Sequence, residues 1–157
     1  MRVPRIYIDT SVVGGCHDDE FAVESRAIFR EATAGRIVLL LSDLVLAELA
    51  GAPEKVREIL SGIDPGVVEN VPITAEIEDL RDRYVAAGVV SEAHIEDATH
   101  VAAATVARAD AIASWNFRHI VRLDKIKAYN AVNLLHGYGV LTILSPKEIV
   151  GHDDEEI

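Results

Sequence analysis

Short apolar runs alternate with longer amphipathic segments along the chain. The apolar runs predict five β-strands, at residues 6–8, 37–41, 66–73, 111–114 and 140–144. Uninterrupted runs of this length are typical of strands that are buried on both faces, as in the middle of a parallel sheet. Within the third run, Pro72 limits the part that this strand can play in a hydrogen-bonded ladder.

The segments between the apolar runs have the residue spacing of helices. They predict helices at residues 23–34, 44–50, 52–61, 75–87, 92–108 and 124–138. Strands that alternate with helices favour an α/β fold, here a three-layer α/β/α architecture with a central, mostly parallel sheet. The carboxyl ends of such strands meet at one edge of the sheet, and ligands of open α/β folds bind there.

Polar residues follow the first strand at that edge. Asp9 comes directly after the apolar run, and the hydroxyl residues Thr10 and Ser11 come next. Asp9 is therefore a candidate ligand-binding carboxylate, although an aspartate at this point also suits the cap of a turn or of a following helix. The pair Gly14-Gly15 is expected to loosen the backbone after it.

Two further acids lie on predicted helices. Glu48 is the one charged residue of segment 44–50, which predicts a carboxylate in a largely dry setting unless it points outward or meets an arginine. Asp97 falls on a stripe of small apolar residues, so we expect it to face the sheet. Its neighbour Glu96 shares a polar face with His100 and is expected to face water.

A fourth polar side chain, that of Asn116, follows the fourth strand. We expect it to lie with Asp9 at one edge of the sheet, which Glu48 and Asp97 reach from their helices. Converging carboxylates repel one another and are tolerated when a hard cation lies between them. Mg²⁺ and Mn²⁺ take oxygen ligands and pair with phosphates, so the predicted cofactor is Mg²⁺ or Mn²⁺.

Composition favours a single domain with a reducing, cytoplasmic location. The chain has 157 residues, of which 50% are hydrophobic, and we place one domain at residues 1–150. Residues 151–157 form an acidic segment that is expected to be a flexible tail. No apolar stretch approaches the roughly 20 residues that cross a bilayer. No signal peptide is expected before the first strand, and the single Cys16 cannot form an internal disulfide.

Four segments, in their order and spacing, resemble the PIN domain family and within it the VapC-like toxin ribonucleases. They are residues 6–11, 42–49, 95–104 and 114–119, so the resemblance covers nearly the whole chain. It implies a metal-dependent endoribonuclease that is the toxin of a type II toxin–antitoxin system. Asp9, Glu48 and Asp97 would be the acids that bind the metal. Asn116 would take a fourth position that is often aspartate in the family.

The resemblance also implies supporting groups and partners. Thr10, Ser11 and Ser114 would be hydroxyl groups that orient the carboxylates or a water molecule. The amide oxygen of Asn116 can ligate Mg²⁺ but adds no charge, which puts a second metal ion in doubt. The implied partners are an RNA substrate, a small antitoxin protein and a second copy of the chain in a homodimer.

Charge gives a mixed indication about RNA. The net charge of −11 has the wrong sign for general attraction to nucleic acid, although a bound metal ion would invert the charge locally. Arg118, His119 and Arg122 follow Asn116 closely and are candidates for contacting an RNA backbone. Ordinary surface charge explains them equally well. His100 and His119 could also serve as general acids or metal ligands. The histidines have no zinc-type spacing, however, so a zinc site is not expected.

Three alternatives compete with a nuclease. A haloacid-dehalogenase-like phosphatase needs a second acid two residues after Asp9, where this chain has Ser11. A response-regulator receiver needs an acidic pair on the first strand, which this chain lacks. A catalytically weak or inactive PIN-like scaffold that binds RNA or protein stays open because of Asn116, and the three intact acids count against it.

Overall fold

Five parallel strands form one sheet in the computed structural model, which describes residues 2–150. They lie in the order β3-β2-β1-β4-β5, and every neighbouring pair is parallel. Their bounds are β1 Arg5–Ile8, β2 Val38–Ser42, β3 Val68–Val71, β4 Ala111–Ala113 and β5 Ile143–Leu144. The predicted α/β fold around a parallel sheet is confirmed, and the sheet is parallel throughout. The predicted acidic tail, residues 151–157, lies outside the described residues.

Helices cover both faces of this sheet. Their bounds are α1 Thr10–Gly15, α2 Ala22–Thr33, α3 Asp43–Ala50, α4 Glu54–Ser61, α5 Ala75–Ala86, α6 Ile95–Val106, α7 Leu123–Leu135 and α8 Pro146–Val150. Short 3₁₀ turns lie at Pro65–Val67 and at Glu92–His94. None of these helices has both the length and the apolar character that crossing a bilayer requires.

Alternate side chains of the central strands enter two separate cores. Ile6 and Ile8 of β1 pack on the face covered by α1, α2, α3 and α4. Tyr7, between them, packs on the opposite face with α5, α6 and α7. Leu40 of β2 and Ile112 of β4 lie on the same face as Tyr7. Because successive side chains of a strand point to opposite faces, an entirely apolar strand supplies both cores at once.

The order of the strands reverses at β1. The chain passes from β1 to β2 and β3 on one side, and then returns to place β4 and β5 on the other side. The carboxyl ends of β1 and β4 are neighbours, since Ile8 pairs with Ala113 and the backbone N–H of Asp9 donates to the carbonyl oxygen of Ala113 at 3.4 Å. Ligands of open α/β sheets bind at such a reversal, and Asp9 lies there.

The backbone that follows β1 differs from the sequence prediction. Instead of a loosened segment, Thr10–Gly15 form helix α1, and Asp9 occupies its N-cap position. A Cβ atom on Gly15 would lie 2.5 Å from Ser25 Oγ and 2.8 Å from Trp115 Nε1. Gly15 therefore serves close packing, because its missing side chain lets α1 approach the indole ring of Trp115.

Helix α3 is buried on one side only, so the largely dry setting predicted for Glu48 is not found. Val45 and Leu49 are its buried residues, and Leu46 is 47% exposed. The helix packs its apolar stripe against β2, α1 and α4 and presents its remaining surface to solvent. The side chain of Glu48 is accordingly 26% exposed rather than dry.

Candidate active site

Asp9 lies in the crevice between the ends of β1 and β4 and is 4% exposed. Its Oδ1 accepts a hydrogen bond from Ser11 Oγ and its Oδ2 accepts one from Ser114 Oγ, each at 2.5 Å. Each hydroxyl oxygen itself accepts a backbone N–H at 2.9 Å, from Trp115 to Ser11 and from Asn116 to Ser114. Because these bonds fix both oxygens as acceptors of backbone groups, the single proton of each hydroxyl is directed at Asp9.

This environment acts on the charge of Asp9 in two opposing ways. Burial raises the pKa of Asp9 above its ordinary value, since a charged carboxylate is costly away from water. The attraction of His100 and the hydrogen bonds from Ser11 and Ser114 lower the pKa, but burial outweighs them. A cation beside Asp9 would therefore stabilise its charged form.

Glu48 reaches the same region from α3. Its Oε1 accepts hydrogen bonds from Thr10 Oγ1 at 2.5 Å and from His100 Nε2 at 2.8 Å. Burial raises the pKa of Glu48, but the bonds from His100 and Thr10 outweigh it and hold the pKa below its ordinary value. Glu48 is thus an ionised carboxylate that two donors hold in place through one oxygen.

His100 of α6 is buried, which corrects the prediction that it shares a water-facing surface with Glu96. Its Nδ1 lies 2.7 Å from the hydroxyl oxygen of Tyr7, which in turn lies 2.7 Å from Ser42 Oγ. Ser42 Oγ also caps α3, because it accepts the backbone N–H of Val45 at 3.3 Å. A chain of hydrogen bonds therefore runs from the start of α3 through the core to the acidic crevice.

When the imidazole of His100 is neutral, the donor and the acceptor of each hydrogen bond in this series are determined. Since Nε2 of His100 faces the carboxylate of Glu48, it carries the proton, and Nδ1 accepts the hydroxyl proton of Tyr7. The oxygen of Tyr7 then accepts from Ser42. Burial raises the pKa of the Tyr7 phenol, so that it stays a donor at ordinary pH. The chain thus orients the ring that holds Glu48.

Asp97 approaches the crevice from the first turn of α6, with a side chain that is 23% exposed. Burial raises the pKa of Asp97, His119 and His100 lower it, and the charge of Asp9 raises it further. The neighbouring Glu96 is more exposed, and its contact with Glu48 raises its pKa. Asp97 is the more buried of the two acids, as the sequence predicts, but Glu96 also meets the crevice.

Four carboxylates therefore come together where the strand order reverses: Asp9, Glu48, Glu96 and Asp97. Within residues 2–150, no lysine or arginine forms an ion pair with any of them, and their basic partners are histidines. Carboxylates so placed repel one another: Glu48 raises the pKa of Glu96, and the charge of Asp9 adds to the effect of burial in raising the pKa of Asp97. Oxygen donors of this kind are the ligands that a hard divalent cation such as Mg²⁺ or Mn²⁺ prefers. Within residues 2–150, however, no three of these carboxylates have ligand atoms within 4.8 Å of one another, so an ion would have to draw them together.

Asn116 forms a turn at the edge of this group. Its Oδ1 accepts the backbone N–H groups of Arg118 at 3.1 Å and of His119 at 2.9 Å. Asparagine commonly stabilises a turn in this way. The side chain of Asn116 therefore shapes the segment that brings His119 beside Asp97.

The three basic residues that the sequence offers for RNA contact lie in different surroundings. Arg122 is exposed and forms two hydrogen bonds with Asp124, at 2.6 and 2.8 Å, so a neighbouring acid offsets its charge. His119 is half-buried and stacks on His94. Arg118 is exposed, and its guanidinium forms no ion pair within the described part of the chain. Of the three, Arg118 presents the most available positive charge.

Sequence reasoning gave no role to Tyr7 or His94, and it offered His100 as a general acid or metal ligand rather than as the buried donor to Glu48. A signal for the two histidines exists, because they stand three residues before and three residues after Asp97, a spacing that places side chains near one another on a helix. Tyr7 carries no such signal. A tyrosine inside an apolar strand has the same pattern whether its hydroxyl serves a site or packs in the core.

Comparison with known proteins relates this chain to others by fold. No protein-family model matches the sequence. No curated protein matches it either. The crystal structure of Mycobacterium tuberculosis VapC20, a sarcin–ricin loop cleaving toxin, superposes with a TM-score of 0.56 over 73% of this chain and 92% of that one, at 16% sequence identity. The chain therefore has an α/β fold similar to that of VapC20.

Proposed function

We propose that this protein is a metal-dependent endoribonuclease that hydrolyses RNA phosphodiester bonds and is the toxin of a type II toxin–antitoxin system. One observation carries the proposal: acids without a lysine or arginine partner, within residues 2–150, gather at the reversal point of a parallel sheet. The similarity of the fold to that of VapC20 supports the same choice of chemistry. The resemblance of the four sequence segments to VapC-like ribonucleases supports it independently.

In this proposal Asp9, Glu48 and Asp97 hold Mg²⁺ or Mn²⁺. A divalent ion there supplies activation of a water molecule and neutralisation of charge on the phosphate. Hydroxyl groups of the protein orient the carboxylates and favour their ionised form, as the two bonds to Asp9 do against the effect of burial. Asn116 acts through its turn, since its oxygen already accepts two backbone hydrogen bonds.

The supporting groups around these acids have separate tasks. Thr10 holds Glu48 from α1, while Ser11 and Ser114 hold Asp9 from either side. Arg118 provides an exposed charge for the RNA backbone, and the ion itself offsets the acidity of the crevice toward phosphate. Arg122 is a weaker candidate because Asp124 pairs with it.

The proposal extends to partners and location. We propose a cytoplasmic homodimer that an antitoxin protein inhibits, as the resemblance to VapC-like toxins implies. Light scattering during size-exclusion chromatography measures the mass of the 17.0 kDa chain in solution, and a mass of twice this value is expected. A monomer at all concentrations would remove the homodimer from the proposal.

The activity is tested by RNA cleavage. The substrates are a mixed RNA pool and a hairpin with the sarcin–ricin loop sequence, each incubated with Mg²⁺, with Mn²⁺ or with EDTA. Wild type should cut with metal and not with EDTA, and Asp9→Asn should lose about 100-fold or more of the rate. Glu58→Gln, which changes an exposed acid of α4, is the matched control and should keep full activity.

A non-catalytic scaffold is the second candidate. Asn116 favours it because its side chain is neutral and its Oδ1 already accepts two backbone N–H groups. The two candidates separate in the same experiment. If wild type cuts neither RNA and calorimetry detects no binding of Mn²⁺, the nuclease proposal fails. Binding of the RNA hairpin without cleavage, in protein that does bind Mn²⁺, would favour the scaffold.

A further inference from the structure

Two histidines from separate parts of the chain meet beside Asp97. His94 ends the 3₁₀ turn that precedes α6, and His119 lies in the turn that follows β4. One potential ligand atom from each of His94, Asp97 and His119 lies within 4.8 Å of the other two. The two imidazole rings stack with centroids 3.7 Å apart and planes at 25°. The fold thus brings two nitrogen ligands and a carboxylate to one point.

The nitrogen atoms of both rings are available. Within residues 2–150, the rings of His94 and His119 form no hydrogen bond, and the near contact is that of His94 Nδ1 with Asp97 Oδ2 at 3.9 Å. The main chain of His119 is firmly held, since its N–H donates to Asn116 Oδ1 and its carbonyl oxygen accepts from Tyr129 Oη, each at 2.9 Å. The structure therefore fixes the backbone that carries this ring and leaves the ring nitrogens unused.

We propose that His94, Asp97 and His119 form a second metal site, which takes a first-row transition-metal ion of the Zn²⁺ class. Two imidazoles and one carboxylate are a ligand set that such ions favour, whereas Mg²⁺ prefers oxygen ligands and retained waters. Three protein ligands also leave a coordination position open, as in catalytic rather than structural zinc sites. The absence of zinc-type spacing in the sequence does not bear on this site, because tertiary contact assembles it.

The dimensions of the cluster suit such an ion after a small closure. Zinc bonds of about 2.0–2.2 Å in a tetrahedral site bring ligand atoms to about 3.4 Å from one another. The side chain of His94 is 43% exposed and ends a short turn, so it can rotate toward His119 and Asp97. Little else has to move, because Asp97 lies in the first turn of α6 and the main chain of His119 is already hydrogen-bonded through both its N–H and its carbonyl oxygen.

Asp97 belongs to this cluster and to the acidic crevice. An ion bound by the two histidines therefore adjoins the one proposed for Asp9, Glu48 and Asp97. Asn116, at the fourth position of the acidic site, is neutral and adds no negative charge for a second ion. The two imidazoles provide a place for a second ion that does not require a charge at Asn116. Binding at the histidines does not depend on RNA cleavage, so the site is tested without RNA.

The test is a calorimetric titration, in which Zn²⁺ is added to tag-free, full-length protein in the presence of excess Mg²⁺. Wild type should bind one Zn²⁺ ion, and His94→Asn and His119→Asn should each weaken binding by about tenfold or more. His136→Asn is the matched control, because His136 lies at the end of α7 and contacts Arg83 at 3.2 Å, and its affinity should equal that of wild type.

A second measurement needs no substitution. In wild-type protein, Zn²⁺ should shift the imidazole NMR signals of His94 and His119 and leave those of His136 in place. Unmoved signals of His94 and His119, or histidine variants that bind Zn²⁺ as tightly as wild type, would overturn the proposal. Loss of Zn²⁺ binding in Asp9→Asn together with its retention in both histidine variants would assign the ion to the acids and overturn it as well.

Discussion

Replacing Tyr7 with phenylalanine removes one oxygen from the hydrogen-bond chain that ends at Glu48. Tyr7 is 0% exposed, and its hydroxyl lies 2.7 Å from both Ser42 Oγ and His100 Nδ1. In Tyr7→Phe the ring still fills its place in the core, so packing changes little. Ser42 loses the acceptor of its proton and His100 loses the donor to Nδ1.

The cost follows from these two unsatisfied groups. Each buried polar group left without a partner costs about 1–3 kcal/mol. Because Ser42 can turn its proton elsewhere, we expect Tyr7→Phe to lower the free energy of unfolding by about 2–4 kcal/mol. The ring of His100 also loses its support, so Glu48 is held less firmly and the affinity for Mn²⁺ should fall about tenfold.

Urea unfolding and Mn²⁺ calorimetry measure the two effects, and Tyr84→Phe is the matched control. Tyr84 is equally buried, and its hydroxyl donates to Asn133 Oδ1 at 2.5 Å in the core between α5 and α7. The control should also lose stability, by about 1–3 kcal/mol, but should bind Mn²⁺ like wild type. Unchanged stability and unchanged Mn²⁺ affinity in Tyr7→Phe would refute the proposed role of the chain.

Three further predictions concern packing, acid stability and the charge of Asp9. Gly15→Ala should destabilise the protein by about 1–3 kcal/mol in urea unfolding because the new methyl overlaps an indole ring, whereas Gly14→Ala, with no atom within 4 Å of its Cβ, should be nearly neutral. A backbone amide of β1 lowers the pKa of Asp110, so this group stabilises the fold above its unfolded pKa of about 3.9 and the effect is lost as pH falls through the lower folded value. Wild type should therefore exceed Asp110→Asn in stability at neutral pH and converge with it in strong acid; equal stability at both would contradict this. Ser114→Ala removes a donor to Asp9 and should raise the pKa of Asp9 further, as an NMR titration of its carboxyl carbon would show, and an unchanged value would count against the role of that hydroxyl.

The sequence by itself determined the order of strands and helices and the parallel sheet. Buried strands are local apolar runs, so Ile6 and Ile8 identify a central strand without knowledge of their neighbours. The position of Asp9 at a strand end follows from the same local pattern. Helix α1 was not predictable, because Gly15 suits a helix there through contact with Trp115, which is distant in the sequence.

Only the tertiary structure decided which polar side chains meet. His100 looked like part of a polar helix face, yet the fold buries it between Tyr7 and Glu48. His94 and His119 come from a turn before α6 and a turn after β4, and they meet because α6 packs against β4, which brings the start of the helix near the end of the strand. Periodicity reports which side of an element is apolar, whereas a site needs side chains from several elements at one point. That convergence depends on strand order and packing, which no local pattern contains.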